Sequence, residues 1–283
     1  MANPTLTHSP ASTVIRIKPS RGWVPIHLRD LWEYRELMYF LIWRDVKVRY
    51  KQTALGIAWV VLQPLATTLI FTVIFGNLAK MPSGNLPYAV FAMAGLVPWN
   101  FFSGAFTRGS GSLVGSANLI SKVYFPRLII PISGVLGGLV DMAIVMVLLF
   151  ALMLYYGLVP TLAVLTLPLF VLMAIGTALG VSLWFSALNV QYRDVNYLVP
   201  FIAQFWLYAT PVVYPSSLIP EKWRVIYGLN PMAGVVEGFR WALFGTGDGP
   251  GPMLLVSVGM VLFLLVSGAF FFRRMERTFA DVI

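Results

Sequence analysis

Three charged residues lie in apolar stretches, where a charge needs a partner. Asp141 is the single charged residue between two long uncharged stretches, residues 128–140 and 142–192. An unpaired charge in the middle of a membrane-spanning helix costs at least about 2.5 kcal/mol. An intramembrane acid is a candidate for proton transfer, but no second acid, histidine or lysine lies in any of the predicted membrane spans. Structural hydrogen bonding is therefore favoured for Asp141. Glu237 and Arg240 are three residues apart on one face of a predicted helix and can pair.

Several kinds of chemistry are missing from the sequence. It contains no cysteine, which excludes disulfides, Cys-ligated zinc and Cys nucleophiles. His8 and His27 have no neighbouring ligand residue, so the sequence predicts no metal site. It lacks a Gly-x-x-x-x-Gly-Lys-Ser/Thr phosphate loop and a pair of carboxylates placed for acid/base catalysis. The chain is therefore expected neither to bind ATP in the usual way nor to be an enzyme.

The composition is that of an integral membrane protein. Hydrophobic residues make up 58% of the 283 residues and charged residues 11%, against about 45–50% and about 25% in soluble proteins. The apolar residues form runs long enough for helices of about 20 residues, the length that crosses a bilayer. We predict an all-α protein with six transmembrane helices, at residues 55–75, 88–106, 128–156, 162–188, 198–213 and 253–272.

The basic residues set the expected orientation. Sixteen of the 20 Lys and Arg residues fall on the side of the predicted spans that carries both chain ends, and Lys and Arg in short loops stay cytoplasmic. Both termini are therefore predicted to be cytoplasmic. The net charge of +9 is explained by this asymmetry, so nucleic acid is not expected as a partner.

The residues before the first span divide into two parts. Residues 1–28 are polar and rich in proline, which predicts a flexible cytoplasmic tail. Residues 29–51 place charged residues at three- and four-residue spacing opposite an apolar face, which predicts an amphipathic helix in the membrane interface. This helix could be a membrane-surface anchor or a surface that a partner or substrate contacts. Residues 52–283 form the predicted six-span domain.

Two further segments have unusual composition. Residues 210–247 are broken by prolines but remain apolar, which predicts two short re-entrant helices, at 218–227 and 232–244, the second capped by Asn230 before Pro231. They could line a pathway or cap the bundle. The cytoplasmic link of residues 108–127 predicts a short amphipathic helix ending at Pro126. Its exposed Leu119, Ile120, Tyr124 and Phe125 would dock another protein or pack onto the spans.

Six short motifs, in order along this hydropathy profile, resemble a known family. They are residues 48–53 (VRYKQT) with 55–56 (LG), Trp59 and 63–65 (QPL), 95–102 (GLVPWNFF), 118–127 (NLISKVYFPR), 193–194 (RD), 210–215 (TPVVYP) and 230–231 (NP). The chain resembles the membrane (permease) subunits of type-2 ATP-binding cassette exporters. Within them it resembles the Wzm-type exporters of O-antigen, capsule or teichoic acid. The resemblance covers nearly the whole chain from about residue 31.

The resemblance implies a multi-pass protein of the bacterial inner membrane that works as a homodimer with two copies of a separate nucleotide-binding ATPase. ATP and Mg²⁺ would be bound by that ATPase, and this chain would carry no cofactor. The implied substrate is a polysaccharide on an undecaprenyl-diphosphate lipid, exported through a channel at the dimer interface. Teichoic acid, another lipid or a drug are alternatives of the same architecture. A proton-coupled transporter or membrane enzyme using Asp141 is the alternative of a different class.

The resemblance also implies roles for individual residues. A coupling helix at 113–124 would dock on the ATPase, with Asn118, Leu119, Lys122, Tyr124, Phe125 and Arg127. The gate region would contain Glu221, Trp223, Arg224, Asn230, Glu237 and Arg240. Aromatic rings can stack on sugars without fixing one position, and the candidates are Tyr39, Trp43, Tyr50, Trp59, Trp99 and Phe102. The lipid diphosphate would be attracted by Arg44, Lys47, Arg49 and Lys51, although membrane lipid headgroups attract them equally.

Overall fold

The structure is a computed structural model that describes residues 28–51, 56–245 and 251–279. The predicted tail of residues 1–28 lies outside this part of the chain except for its last residue. Within the described ranges the chain is built from helices. They are α1 (Leu28–Glu33), α2 (Arg35–Lys51), α3 (Gly56–Phe71), α4 (Tyr88–Gly115), α5 (Ala117–Ile120), α6 (Ile129–Leu136), α7 (Leu139–Tyr155), α8 (Leu167–Gln191), α9 (Val195–Tyr208), α10 (Glu221–Tyr227), α11 (Pro231–Phe244) and α12 (Pro252–Met275).

Five helical stretches of the described residues are long and apolar enough to cross a membrane. They are Ala58–Leu78, Tyr88–Gly115, Ile129–Tyr155, Leu162–Gln191 and Pro252–Thr278. Each corresponds to a predicted span. The first continues α3 through a π-helix, Thr72–Leu78, and the third joins α6 to α7 across Gly137 and Gly138.

The predicted span at 198–213 differs from the structure. The helix there, α9, has 14 residues, which at about 1.5 Å per residue reach roughly 21 Å. It ends before Thr210 and Pro211, where the chain leaves the helical path. The described residues therefore contain five helices long enough to cross a membrane and one shorter apolar helix, rather than the six full-length spans that we predict from the sequence.

The core forms around α4, which is buried on most of its surface and packs against α6, α7, α8, α9 and α11. Glycines allow the closest helix contacts. A Cβ on Gly109 would lie 2.5 Å from the Ser182 side chain of α8, and one on Gly180 would lie 2.7 Å from the backbone of Leu264 in α12. The small-residue pair Gly176 and Gly180 therefore marks a close helix packing, as its four-residue spacing predicts.

One end of the bundle carries α2, α5 and the C-terminal turn Glu276–Thr278 with the nearby Arg273 and Arg274. We call it the basic end. A second apolar cluster lies here and includes Leu41 of α2, Phe125, and Phe272 and Phe279 near the C-terminus. The predicted helix at 29–51 is interrupted at Tyr34, between α1 and α2. Because Leu41 is buried in this cluster, α2 is packed on the bundle along one side.

The predicted coupling helix at 113–124 is wrong in extent. Helix α4 continues to Gly115, Ser116 interrupts the helix, and α5 contains four residues, Ala117–Ile120. Gly109 is buried against α8, so packing keeps the glycine-rich segment helical although its intrinsic propensity is low. The residues between Ile120 and α6 form turns, a bend and irregular backbone.

The other end of the bundle contains the segment from Thr210 to Pro220, followed by α10 and α11. We call it the proline-rich end. The first predicted short helix begins at Glu221 rather than at residue 218, after a single 3₁₀ turn at Ser216–Leu218. The N-cap of the second is confirmed, because the Asn230 side chain accepts a hydrogen bond from the Met232 backbone N–H at 3.1 Å.

Candidate functional site

At the basic end, four side chains from three helices form a charged cluster. Asp141 lies in the first turn of α7 and accepts hydrogen bonds from Arg49 and from the Tyr50 hydroxyl, both at the end of α2. Arg108 of α4 places Nη1 3.7 Å from the same carboxylate. We call these four residues the Asp141 cluster. The acid is thus paired, as predicted, and it connects α2 to the spans.

Glycines make the space for Arg108 in this cluster. A Cβ on Gly138 would lie 2.2 Å from Arg108 Nη2, and one on Gly104 would lie 3.0 Å from Nη1. The guanidinium group therefore occupies a groove that exists because two neighbouring residues lack side chains. The Arg108 side chain remains 32% exposed there, and Asp141 23%, so the cluster can be reached from outside the protomer.

The Tyr50 hydroxyl is a stable donor to Asp141. Burial of the ring, and then the hydrogen bond to the carboxylate, raise the pKa of Tyr50 to about 12. Both effects favour the protonated phenol. The link between α2 and α7 through this hydroxyl is therefore present at neutral pH.

At the proline-rich end, Arg240 of α11 fixes the segment after α9. Its Nη1 donates to the Pro211 carbonyl at 2.6 Å, and its Nη2 donates to the Val212 carbonyl at 2.6 Å. Its guanidinium carbon lies 3.6 Å from the centre of the Phe91 ring of α4. The predicted pair with Glu237 is present, with Nη1 3.2 Å from the carboxylate. With the side chain 4% exposed, Arg240 is enclosed by its partners.

A second network holds the same segment to α10 and α11. The Asn230 amide donates to the Ala209 carbonyl at 2.9 Å and to the Thr210 hydroxyl at 3.0 Å, and it accepts from Trp206 Nε1 at 2.9 Å. The Tyr227 hydroxyl also donates to Ala209, at 2.8 Å. These bonds replace the backbone partners that α9 loses where it ends.

The remaining predicted gate residues lie on or beside α10. Arg224 donates to the Ile219 carbonyl at 3.0 Å and to the Ser217 carbonyl at 3.1 Å, so it shapes the turn before the helix. Glu221 and Trp223 are exposed. The structure therefore brings Asn230, Glu237 and Arg240 together around the irregular segment that follows α9. It leaves Glu221 and Trp223 at the surface.

The six aromatic candidates fall into two groups. Trp99 and Phe102 are buried in the core, where Phe102 contacts the Trp206 ring edge-on at 4.9 Å between ring centres. They do not lie on a surface that a polymer could contact. Tyr39, Trp43 and Trp59 are exposed, and Tyr50 belongs to the Asp141 cluster.

The four basic candidates on α2 also separate. Arg49 is bound to Asp141, and Arg44 pairs with its neighbour Asp45 at 2.8 Å. Lys47 and Lys51 are exposed. The basic surface of α2 is thus smaller than the sequence indicates.

Four of the six predicted ATPase-coupling residues, Lys122, Tyr124, Phe125 and Arg127, line a recess of about 300 Å³ between α5 and α6. Tyr124 is 93% exposed, and Asn118 and Lys122 are exposed. Leu119 is half-buried. Phe125 is buried in the apolar cluster of the basic end, which corrects the expectation that it is exposed. Arg127 is also turned inward and donates to the Glu276 carbonyl at 2.6 Å.

Comparison with known proteins establishes the family. Residues 36–244 match the family described as ABC-2 type transporter. The chain belongs to the ABC-2 type transporter family. A similar ABC-2 protein is the O-antigen export system permease protein RfbA of Myxococcus xanthus, 31% identical over 260 residues, which are 90% of this chain and 98% of that protein.

Two other relatives have comparable names. The O-antigen export system permease protein RfbA of Klebsiella pneumoniae is 32% identical over 253 residues, which cover 88% of this chain and 95% of that protein. The polysialic acid transport protein KpsM of Escherichia coli is 24% identical over 212 residues, which cover 72% of this chain and 79% of that protein. The resemblance found in the motifs is thereby confirmed at the level of an ABC-2 permease subunit.

Two features of this ABC-2 chain were missed by the sequence analysis. One is Arg108, which was treated as a loop residue and instead joins the Asp141 cluster. The other is an exposed aromatic row on α9, formed by Tyr197, Phe201, Phe205 and Tyr208. Three of these rings are spaced by four residues, which places them on one helix face. That spacing is visible in the sequence and was the available signal.

Proposed function

We propose that the chain is the permease subunit of an ATP-driven exporter that moves a lipid-linked polysaccharide, such as O-antigen, from the cytoplasm across the inner membrane. The observation that carries the proposal is the match to RfbA of M. xanthus, at 31% identity over 98% of that protein. A match over nearly the full length of a relative concerns the whole transport domain rather than one motif. The lipid carrier would be undecaprenyl diphosphate.

In this proposal the basic end faces the cytoplasm, because positively charged loop residues are retained there. Both termini would then be cytoplasmic, and α9 would be the fifth of six membrane-embedded segments. The recess beside Tyr124 would dock a separate ATPase, which binds ATP and Mg²⁺. Two such ATPase subunits would serve two copies of this chain.

The channel would form between two copies of the chain. Two exposed apolar faces support a second copy as a neighbour: α3, which exposes Trp59 and Leu69, and α9, which exposes Phe201 and Phe205. A sliding glycan needs surfaces that bind sugar rings weakly at many positions, and exposed aromatic rings provide them. The exposed Tyr39, Trp43 and Trp59 would be the channel candidates near the cytoplasmic side.

At the proline-rich end, the segment held by Arg240 and Asn230 would form the outer gate. It is a break in the helical path at the end of a short apolar helix, and irregular backbone at membrane depth is tolerated where protein or a water-filled pathway covers it. The two short helices α10 and α11 would be its re-entrant elements.

The test is inactivation of the gene in its native host, with comparison of surface glycan and lipid-linked glycan inside the cell. We expect loss of the polymer outside and accumulation of its lipid-linked form inside. Unchanged glycan in both places would contradict the substrate and move the proposal to another amphiphile, such as teichoic acid, a lipid or a drug.

The alternative of proton-coupled transport rests on Asp141 and is tested with Asp141→Asn. The carboxylate accepts hydrogen bonds from Arg49 and Tyr50, and these contacts give Asp141 a structural role in joining α2 to α7. We expect the Asp141→Asn protein to retain transport. Loss of transport in a normally folded variant would favour proton coupling.

A further inference from the structure

Arg108 has hydrogen-bonding capacity that the protein itself does not use. Its one hydrogen bond within the described ranges is from Nε to the Gly134 carbonyl, and at 3.4 Å it is long. The two terminal amino groups have no hydrogen-bond partner in that part of the chain. Nη1 lies 3.7 Å from Asp141 Oδ2, which is within ion-pair range but too long for a hydrogen bond. A guanidinium group has five N–H donors in a planar fork, and here most of them are available.

The charge around Arg108 is positive overall. Asp141 forms ion pairs with both Arg49 and Arg108, so one carboxylate is shared by two guanidinium groups. Asp45 is also near enough to act on Arg108 electrostatically, but it is paired with Arg44 at 2.8 Å. The two acids and three arginines of this region sum to one positive charge. The site therefore favours an anion.

The position of Arg108 along α4 indicates which anion it meets. Arg108 lies 20 residues after Tyr88, where α4 begins, which corresponds to roughly 30 Å of helix and matches the hydrocarbon thickness of a bilayer. The guanidinium group is therefore at the level of the lipid headgroups. The anion common to lipids at that level is phosphate, and a guanidinium fork binds phosphate through two parallel hydrogen bonds.

We propose that Arg108, with Arg49 and the Tyr50 hydroxyl, forms a binding site for the phosphate group of a lipid, and that Asp141 occupies the site as an internal anion when no lipid phosphate is bound. The phosphate could belong to a lipid-linked substrate, as its diphosphate group, and in that case the inference rests on the proposed function. The other source is the phosphate of an ordinary membrane phospholipid.

The internal anion gives the site a distinctive property. Arg49 and Tyr50 donate to Asp141 in the structure, and an incoming phosphate would compete for the same donors. Removing the acid should therefore strengthen phosphate binding, whereas removing Arg108 should weaken it. A cluster that served only to join α2 to the spans would lose function in both variants.

The experiment measures lipid binding to the full-length chain, purified in an uncharged detergent and titrated under native mass spectrometry. The probes are farnesyl diphosphate, a short-chain phosphatidylglycerol, and farnesol as the uncharged comparison. The variants are Arg108→Gln, Arg108→Lys and Asp141→Asn. Arg29→Gln is the matched control, because Arg29 has an 89% exposed side chain at the start of the described chain and its loss changes the net charge equally.

We expect Arg108→Gln to weaken farnesyl diphosphate binding at least about tenfold, the effect of losing a charge-assisted hydrogen bond. Arg108→Lys, which keeps the charge but loses the fork, should be intermediate. Asp141→Asn should bind as tightly as the unaltered chain or more tightly. If phosphatidylglycerol binding falls in parallel, the source is phospholipid; if only farnesyl diphosphate binding falls, the source is the diphosphate lipid.

Two results would overturn the site. They are unchanged binding of both phosphate lipids in Arg108→Gln, and equal losses in Arg108→Gln and Asp141→Asn. Because the measurement uses the purified chain, its failure is separate from that of the proposed function, which the surface-glycan comparison tests.

Discussion

Arg240 and Arg108 belong to helices that contact each other, but their surroundings differ. Arg240 is 4% exposed and donates to two carbonyls at 2.6 Å, whereas Arg108 is 32% exposed and has a single long hydrogen bond in the described part of the chain. A buried arginine that donates to backbone carbonyls and to a neighbouring carboxylate holds a chain segment in shape. One that is partly exposed and makes few hydrogen bonds is suited to bind an external anion. The same residue type therefore has a structural role at one end and, in our proposal, a recognition role at the other.

The sharpest test of the structural side of this comparison is Arg240→Met. The substitution would leave the Pro211 and Val212 carbonyls without the Arg240 donor. It would also remove the partner charge of Glu237, whose carboxylate would keep the Ser216 N–H as a donor. We expect the free energy of unfolding to fall by about 3–5 kcal/mol, the range for breaking a buried charged pair. The measurement is unfolding in detergent followed by tryptophan fluorescence.

Lys222→Met is the control for that variant, because Lys222 is exposed on α10 and should tolerate the change. If Arg240→Met unfolded at the same temperature as the unaltered chain, the contrast between the two arginines would be lost.

The neighbouring residues Tyr124 and Phe125 give a second contrast within the basic end. Phe125→Ala removes a ring from the apolar cluster and should cost about 3–5 kcal/mol. Tyr124→Ala removes an exposed ring and should leave stability unchanged while weakening co-purification of the ATPase.

Each of these two variants is the control for the other, measured by thermal unfolding and by pull-down of the ATPase from the native host. Normal stability of Phe125→Ala, or full ATPase recovery with Tyr124→Ala, would contradict the assignment of one ring to the core and the other to docking.

Asn230→Ala tests the polar network beside Arg240. The side chain caps α11 and bonds Trp206, Ala209 and Thr210. Its loss removes the N-cap of α11 and these side-chain hydrogen bonds, so it should reduce stability by about 1–2 kcal/mol and should increase proteolysis between α9 and α10. Asn85→Ala, at an exposed position, is the comparison. Equal proteolysis of the two variants would show that Asn230 does not hold this segment.

Tyr50→Phe should give the smallest effect, about 0.5–1.5 kcal/mol for one hydrogen bond. The pKa of Tyr50 is raised from 10.0 to about 12, so the native state holds the phenolic proton more tightly than the unfolded state. The stabilisation is fully present below pH 10 and is lost as pH rises through about 12. The measurement is the stability difference between the unaltered chain and Tyr50→Phe as a function of pH. A difference that does not change between pH 8 and 12 would contradict the bond to Asp141.

The sequence predicted the long helices well because each is a continuous apolar run, and such runs need no information from the rest of the chain. It predicted the Asn230 N-cap and the Glu237–Arg240 pair correctly because each of these two contacts joins residues that are close in sequence. It overestimated the fifth span, since hydropathy continues through residues 209–213 although the proline at 211 ends the helix.

What the sequence did not predict depends on contacts between distant residues. Arg49 and Asp141 are 92 positions apart, and nothing in either segment specifies the other. Arg108 was assigned to a loop because the apolar run ends before it, whereas packing against α6 and α8 extends α4 to Gly115. Phe125 appeared exposed in a short amphipathic segment, but the C-terminal Phe272 and Phe279 cover it.

The first span has a consequence for the surrounding membrane. Ala58–Leu78 contains 21 residues, and only 11% of its most apolar stretch is buried inside the protomer. Its length is roughly 30 Å, close to the thickness of the hydrocarbon layer. A helix with so few contacts to its own chain takes its tilt from what surrounds it, so a thinner or thicker bilayer would reorient this helix more than the others. A change in lipid chain length should therefore alter the tilt of this helix more than it alters the packing of the core.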